Sequence, residues 1–312
     1  MGIKYYFTSG RVALFYGLKC LKLKKKDIIL LPEIICKEAL IPFEKLDIKY
    51  KFYNLKKNLT PDWHNIETLN TIKVKGIMMV HYFGFPNDIN RFNLFKKKQS
   101  KFLIEDYCHG LDGKYQNFTL GNIGDISVIS PRKIIKIPSG GILKLNNRNL
   151  KIEKELSKLK TKKINFNEIM FFLFKNNTLI KKIKRFLKNF LKIKLYSKNQ
   201  SLLFENQIID KFSLNILKNK NYSHFNRIKK YKWIYEILVK NNFEPIFEIK
   251  KNIVPWQVPF YLDKKNSDIK NLSKIMLKYN FNIIKWPSAF SKIKKTTKNK
   301  LKYKPIYCVI ID

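Results

Sequence analysis

The sequence contains no run of about 18 apolar residues, and its first 15 residues contain no continuous apolar segment. A membrane-spanning helix and a secretory signal peptide each need such a run, so neither is predicted. The four cysteines lie far apart, with no C-x-x-C pair and no histidine at metal-ligand spacing. Neither a disulfide framework nor a metal site is therefore predicted, and this cysteine usage is typical of a protein kept in a reducing cytoplasm.

Acidic residues are scarce, because 23 Asp and Glu accompany 64 Lys and Arg, which gives a formal net charge of +41. Such an imbalance suggests nucleic acid or an anionic membrane as a partner. A compositional alternative exists, because Lys, Asn and Ile are used heavily throughout the chain, as in proteins from AT-rich genomes. The chain has no aromatic and basic motif of a known nucleic-acid module, so nucleic acid is not predicted as a partner.

The first half of the chain alternates between short apolar runs and amphipathic segments. Strands are predicted at Asp27–Leu31, Ile48–Tyr53 and Val74–Phe83, with a helix at Ile34–Phe43. Alternating strands and helices indicate an α/β fold with a parallel sheet. At 312 residues the chain is long enough for one large domain and a smaller one. We expect a large domain at residues 1–200, linking helices at 201–240, and a small C-terminal α/β domain at 241–312.

Residues 148–200 contain no glycine or proline and are rich in lysine, which predicts helix. From Leu179 onwards, apolar residues fall on one helical stripe and lysines fill the other positions. A basic amphipathic helix can lie on an anionic membrane surface. The alternative is a helix that covers the sheet or a subunit interface and keeps its lysines in water. We accordingly expect a cytoplasmic protein, with peripheral contact at the inner face of the membrane as an open alternative.

The residues whose side chains are best suited to catalysis or ligand binding follow two apolar runs. Phe102–Ile104 ends in Glu105-Asp106, with His109 close behind, and Ile126–Ile129 ends in Ser130-Pro131-Arg132-Lys133. Parallel strands place their carboxyl ends at one edge of a sheet, where α/β proteins bind ligands. The sequence thus predicts a site that combines an acid, an imidazole, a hydroxyl and an amine, although an aspartate after a strand is also a common turn residue.

This combination suits pyridoxal phosphate. A lysine amine can form a Schiff base with the cofactor aldehyde, and a carboxylate opposite the ring nitrogen keeps the ring protonated. The phosphate needs hydroxyl groups and backbone amides at the start of a helix. Ser9-Gly10-Arg11 precedes an apolar pattern at helical spacing and can supply these groups, although an ordinary capped helix has the same pattern.

The motifs together resemble the DegT/DnrJ/StrS family of sugar aminotransferases. That family carries an E-D-x-x-Q/H segment, a G-x-x-G-D turn, a serine-bearing strand, the cofactor lysine and a double glycine. The same features occur here in order, as Glu105 to His109, Gly121 to Asp125, Ser130, Lys133 and Gly140-Gly141. The gap from Ser130 to Lys133 resembles a divergent branch of the family, in which an arginine precedes the lysine.

The resemblance implies a fold type I transferase dependent on pyridoxal phosphate, with a mainly parallel seven-stranded large domain, and a homodimer. It implies that Lys133 is catalytic, that Asp106 contacts the ring nitrogen and that His109 contacts the ring. It implies further that Ser130 and the turn Ser9-Gly10-Arg11 bind the phosphate, with Arg11 in place of the family's threonine. The reaction implied is transfer of an amino group, with glutamate as the expected donor, to a nucleotide-linked keto-sugar for polysaccharide or lipopolysaccharide synthesis.

Some residues depart from the family pattern and leave alternatives open. Ile34, Ile35 and Cys36 stand where family members often have an aromatic residue that stacks on the cofactor. One alternative is therefore a degenerate or inactive family member, and another is a basic membrane-binding or nucleic-acid-binding protein on the same scaffold. His81 ends a predicted buried strand and is interpreted as a packed core residue rather than a catalytic base.

Overall fold

The computed structural model describes residues 2–164, 207–219, 224–262, 266–286 and 305–311. In this part of the chain the strands form a nine-stranded sheet, a four-stranded sheet and a two-stranded hairpin. The predicted lysine-rich helix that begins at Leu179 lies outside the described residues. Among the residues described, no helix combines the length and the apolar character needed to cross a bilayer.

The elements have the following bounds. The strands are β1 (Ile3–Phe7), β2 (Ile28–Pro32), β3 (Lys49–Tyr53), β4 (Val74–Val80), β5 (Phe102–Tyr107), β6 (Lys114–Tyr115), β7 (Phe118–Thr119), β8 (Ile126–Ile129), β9 (Gly141–Leu145), β10 (Lys160–Thr161), β11 (Gln207–Ile208), β12 (Glu244–Pro245), β13 (Gln257–Tyr261), β14 (Ile283–Lys285) and β15 (Ile306–Ile310). The helices are α1 (Gly10–Cys20), α2 (Lys37–Lys45), α3 (Trp63–Leu69), α4 (Ile89–Gln99), α5 (Glu153–Leu156), α6 (Lys211–Asn219), α7 (Phe225–Lys240) and α8 (Asn266–Lys278). Two 3₁₀ turns lie at Tyr82–Gly84 and Pro131–Lys133.

The large sheet has the strand order β10-β11-β1-β9-β8-β5-β4-β2-β3. The five strands from β8 to β3 are parallel to one another, and β9 runs antiparallel to both β8 and β1. The mainly parallel α/β sheet is as predicted. The predicted count of seven strands is exceeded, because the two-residue strands β11 and β10 extend the sheet beyond the edge of β1.

The central strands β2 and β4 are almost entirely apolar because the sheet is covered on both faces. All five residues of β2 are buried, and in β4 only Lys75 is exposed. Parallel strands covered on both faces need such continuous apolar runs rather than alternation. The predicted strand at Val74–Phe83 ends earlier, at Val80, because the chain then turns through the first 3₁₀ segment.

The C-terminal part of the described chain forms the second sheet, with the strand order β12-β13-β15-β14. Helix α7 packs against it through Tyr231, Ile234 and Leu238, which are all fully buried. The Tyr231 hydroxyl donates a hydrogen bond of 2.6 Å to the carbonyl of Phe247. Helix α8 buries Leu272 and Met276 in the same way.

Candidate active site

Four chain segments meet at one edge of the large sheet. Tyr107 at the end of β5 pairs with Ile129 at the end of β8, and Ile129 pairs with Ile142 at the start of β9. Gly141 in turn pairs with Phe7 at the end of β1, directly before α1. This register brings the sequence-predicted site residues to the same edge: Ser9, Gly10, Arg11, Asp106, His109, Ser130 and Lys133.

The N-terminus of α1 is held close to the ends of β5 and β8. Ser9 caps the helix, since its hydroxyl oxygen accepts a hydrogen bond of 3.4 Å from the Val12 amide. A Cβ atom on Gly10 would lie 3.0 Å from the Cys108 sulfur and 3.4 Å from the Ser130 Cβ. The absence of a side chain at Gly10 therefore lets the first amides of the helix approach Ser130 closely.

The double glycine, Gly140-Gly141, is likewise explained by a close approach between two segments of backbone. A Cβ on Gly141 would lie 2.1 Å from the carbonyl group of Ser9, which excludes any side chain there. The amide of Gly140 donates a hydrogen bond of 2.9 Å to the Thr8 carbonyl. The start of β9 is thus packed directly against the turn that precedes α1.

Two arginines lie next to this helix start. Burial and, secondly, the charge of Arg11 lower the pKa of Arg132, although part of the Arg132 residue reaches solvent. The charges of Arg11 and Arg132 repel each other, and a bound anion would relieve this repulsion. Guanidinium groups and helix N-terminal amides both bind phosphate well. Arg132 was not selected from the sequence, where basic residues are too frequent to distinguish one from another.

Asp106 lies in β5 and its side chain is partly buried. Its Oδ1 accepts a hydrogen bond of 2.9 Å from the Cys108 amide, which leaves Oδ2 for another partner. Burial raises the pKa of both Cys36 and Cys108. In both thiols the Asp106 charge raises the pKa further and the Lys133 charge lowers it. The carboxylate and the ammonium therefore lie beside the same pair of thiols.

Lys133 ends the 3₁₀ turn that follows β8. Its amide donates a hydrogen bond of 3.1 Å to the Ser130 carbonyl, and Ser130 itself is buried. The Lys133 ammonium lies 4.7 Å from the ring centroid of Trp256, a cation–π contact. Trp256 precedes β13 in the second sheet, and the sequence analysis did not select it because no local pattern marks it.

His109 is neutral in this environment. Burial and, secondly, the Lys133 charge hold its pKa well below the usual range. Its Nδ1 accepts a hydrogen bond of 3.2 Å from the Phe83 amide, so the proton of the neutral ring is on Nε2. The ring is stacked on Trp256 at a centroid distance of 4.3 Å. His109 therefore offers one N–H donor beside Lys133.

The backbone at Phe83 and Gly84 shapes this side of the site. Phe83 adopts a left-handed conformation with φ of 55°, and its carbonyl accepts a hydrogen bond of 2.7 Å from the Trp256 amide. Gly84 has φ of 92°, and a Cβ there would lie 2.4 Å from the Val254 carbonyl oxygen. A left-handed phenylalanine persists only where surrounding contacts enforce it, and the backbone hydrogen bonds of Phe83 join Trp256 to His109.

Arg227 of α7 connects the second sheet to the loop that follows Lys133. Its Nη1 donates hydrogen bonds of 3.0 Å to the carbonyls of Trp256 and Ile311. Its Nη2 donates one of 3.4 Å to the carbonyl of Ile134. The planar guanidinium thereby fixes the position of Trp256 relative to the lysine.

Glu105 points away from Asp106, because neighbouring strand residues face opposite sides of the sheet. Its carboxylate accepts hydrogen bonds from three backbone amides in the G-x-x-G-D turn, namely those of Gly121, Ile123 and Gly124, and from the Ser127 hydroxyl and His81 Nε2. His81 is fully buried, and its Nδ1 accepts from the Asn87 amide. His81 is thus a hydrogen-bonded core residue, as the sequence indicates.

The residues at this edge fit pyridoxal phosphate. The close approach at Gly10 provides a cradle of amides, hydroxyl groups and guanidinium groups for a phosphate, and a Cβ at that position would disturb it. The carboxylate of Asp106 and the amine of Lys133 lie beside this cradle, and a pyridine aldehyde requires both groups. No group of three metal-ligating side chains occurs within the described ranges.

Comparisons with known proteins identify the family and the fold. The model of the DegT/DnrJ/EryC1/StrS aminotransferase family matches residues 5–168. GDP-perosamine synthase of Escherichia coli O157:H7 is 29% identical over 149 residues, which are 46% of this chain and 40% of that protein. GDP-4-keto-6-deoxy-D-mannose 3-dehydratase of Yersinia pseudotuberculosis is 27% identical over 136 residues, 42% of this chain and 34% of that protein. The matches therefore span well under half of these relatives.

The fold is similar to those of solved aminotransferases over nearly the whole chain. Helicobacter pylori PseC, described as an aminotransferase involved in the biosynthesis of pseudoaminic acid, superposes with a TM-score of 0.66 and 16% identity, covering 98% of this chain and 81% of that one. The pyridoxal-phosphate form of the putative sugar aminotransferase Spr1654 from Streptococcus pneumoniae gives a TM-score of 0.68 and 14% identity, covering 98% and 81%. The chain has the α/β fold of type I transferases.

Proposed function

Because the chain belongs to the DegT/DnrJ/EryC1/StrS aminotransferase family, we propose that it uses pyridoxal phosphate to move an amino group from an amino acid to a nucleotide-linked keto-sugar. The observation that carries this proposal is the convergence of Asp106, Lys133 and the N-terminus of α1 at one edge of the sheet. We propose glutamate as the amino donor, and polysaccharide or lipopolysaccharide amino-sugar synthesis as the role.

Pyridoxal phosphate, when bound, supplies an aldehyde that links to amines and a ring that accepts electrons from the substrate carbon. Lys133 would be the residue that holds the cofactor through its aldehyde. With the donor amino acid bound, Lys133 Nζ would serve as the general base and acid at the substrate carbon. Asp106 would accept a hydrogen bond from the protonated ring nitrogen through Oδ2, because Oδ1 already accepts one from the Cys108 amide.

The remaining site residues bind and orient. Ser9, Gly10 and Arg11 hold the phosphate together with Ser130, and Arg132 adds a second positive charge. His109 would contact the cofactor through its Nε2 proton, since Nδ1 already accepts a hydrogen bond from the Phe83 amide. Trp256 covers Lys133 and His109 and excludes water from the amine.

A lysine at position 133 favours transamination. Dehydratases of this family use a histidine there, and relatives named for each activity are similar to this chain. A lysine has a primary amine that can form a Schiff base with the cofactor, whereas a histidine can only transfer protons. The proposal includes a cytoplasmic homodimer with a large domain at 1–200, linking helices at 201–240 and a small domain at 241–312. The Arg227 contacts support a close relation between the last two parts and the lysine.

The visible absorbance of the purified protein with added pyridoxal phosphate tests this proposal. We expect a cofactor band in the wild type and in Lys136→Ala, an exposed neighbouring lysine, but not in Lys133→Ala. Addition of glutamate should bleach the band, and a nucleotide keto-sugar should restore it. A band that no amino acid bleaches would favour the degenerate family member. No band in any of the three proteins would refute cofactor use.

A further inference from the structure

Helices α7 and α8 present a surface that combines exposed apolar side chains with lysines. Trp233, Leu277 and Tyr279 are 41%, 56% and 47% exposed, and the rings of Trp233 and Tyr279 lie 4.8 Å apart in an edge contact. The set that we call the aromatic–lysine face consists of Trp233, Leu277, Tyr279, Lys229, Lys232, Lys274 and Lys278. All of these residues are exposed in the part of the chain that the structure describes.

Helical periodicity places the members of this set on one side of each helix, and the contact between Trp233 and Tyr279 brings the two sides together. Lys229, Lys232 and Trp233 fall within about 100° of one another around α7, opposite the buried Ile234 and Leu238. On α8, Lys274, Leu277 and Lys278 are spaced in the same way, opposite Leu272 and Met276. The face is therefore the outer side of two helices whose inner sides pack on the protein.

The charge of the face is almost entirely of one sign. The exposed positions of α7 carry one acid, Glu236, and the exposed positions of α8 whose side chains are described carry none. A second copy of this chain is a poor partner, because a twofold contact would press these lysines against the same lysines. A polyanionic surface is the complementary partner.

The exposed apolar side chains indicate which kind of polyanionic partner fits this face. Leu277 on α8 is 56% exposed, and Val239 on α7 is 50% exposed. Aliphatic side chains gain nothing from phosphate groups, whereas they enter the boundary between lipid headgroups and acyl chains. Tryptophan and tyrosine are also enriched at that boundary, since each has an apolar ring and a polar group.

We propose that the aromatic–lysine face binds the surface of a membrane rich in anionic lipids. Its lysines contact the headgroup phosphates, and Trp233, Leu277 and Tyr279 insert at the headgroup boundary. The protein lies on the surface through this face. The inference is independent of the proposed enzymatic function, because none of its residues belongs to the candidate active site.

Co-sedimentation of the full chain with lipid vesicles tests the proposal. Vesicles with phosphatidylglycerol should bind the protein, and vesicles of phosphatidylcholine alone should not. The double variant Lys274→Glu/Lys278→Glu should weaken binding at least about 25-fold, at about five-fold per lysine. Trp233→Ala should weaken it by a factor that persists as salt is raised, because apolar burial is not screened by ions.

Matched controls separate this face from the general charge of the chain. Lys49→Glu/Lys51→Glu makes the same change of charge on β3, and Leu94→Ala removes an exposed apolar side chain from α4. Both controls should bind vesicles nearly as the wild type does, and circular dichroism should show every variant folded. Equal loss in the two charge-reversal variants would overturn the proposal. So would vesicle binding that the face variants leave unchanged, or binding of a DNA oligomer in preference to anionic vesicles.

Discussion

Replacement of Glu105 by glutamine should strongly destabilise the fold, although it changes the side chain by a single group. Oε1 accepts hydrogen bonds from the Gly121 amide at 2.6 Å and from His81 Nε2 at 3.1 Å. Oε2 accepts from the amides of Ile123 and Gly124 at 2.7 and 3.1 Å. In either orientation the glutamine NH₂ group would face at least one backbone N–H, so a buried donor would lose its partner.

The magnitude follows from the burial of this group. Glu105 is fully buried, and hydrogen bonds to a charged acceptor contribute more than neutral ones. A buried donor left without its acceptor costs about 1–3 kcal/mol. Urea denaturation should therefore show the free energy of unfolding of Glu105→Gln lowered by about that amount. The matched variant Glu67→Gln, at an exposed position of α3, should change it by less than about 0.5 kcal/mol.

The pH dependence provides a second readout of the same contact. Burial alone would raise the pKa of Glu105, but hydrogen bonds from His81, Ser127 and Gly121 outweigh it and lower the pKa. The carboxylate thus stabilises the fold above its unfolded pKa of about 4.3, and this stabilisation is lost as the pH falls through the lower folded pKa. The difference in free energy of unfolding between wild type and Glu105→Gln should therefore become smaller as the pH falls through the folded pKa. A difference below about 1 kcal/mol at neutral pH would refute this account of the turn.

Three further substitutions address the candidate site. Gly10→Ala should weaken pyridoxal phosphate binding by about 1–3 kcal/mol through overpacking, while the binding of pyridoxal, which lacks the phosphate, stays nearly constant. Equal losses for both ligands in fluorescence titrations would contradict the phosphate assignment. Trp256→Ala should weaken cofactor binding about 2- to 30-fold through loss of the cation–π contact with Lys133. Trp256→Phe should restore most of the lost affinity, so failure of this rescue would count against the contact. Arg227→Ala should increase amide hydrogen exchange around Trp256 and Ile134, and Arg227→Lys should have an intermediate effect because a lysine lacks the planar fork. Unchanged exchange in both variants would rule out the bridging role.

The core of the fold could be predicted because its signals are local. The runs at Phe102–Ile104 and Ile126–Ile129 are continuously apolar, so they identify buried strands, and the rule for parallel strands then places Asp106 and Ser130 at one edge. The double glycine was recognised from the family pattern. Its physical reason, the contact of Gly141 with Ser9, became visible only when β9 was placed beside β1.

The residues that sequence reasoning missed act through long-range contacts. Trp256 reaches Lys133 from a different sheet, and Arg227 acts on carbonyls from three separate segments. No period or spacing marks such residues. The left-handed backbone of Phe83 also contradicts local propensity, because an aromatic residue avoids this conformation unless tertiary hydrogen bonds enforce it.

The most direct test of the central claim is to identify the lysine that links to pyridoxal phosphate. The protein would be mixed with the cofactor, reduced with borohydride, digested, and analysed by peptide mass spectrometry. We predict one pyridoxyl phosphate group on Lys133 in the wild type and in Lys136→Ala, and none in Lys133→Ala. Modification of another lysine in preference to Lys133, or no modification at all, would contradict the assignment of this site.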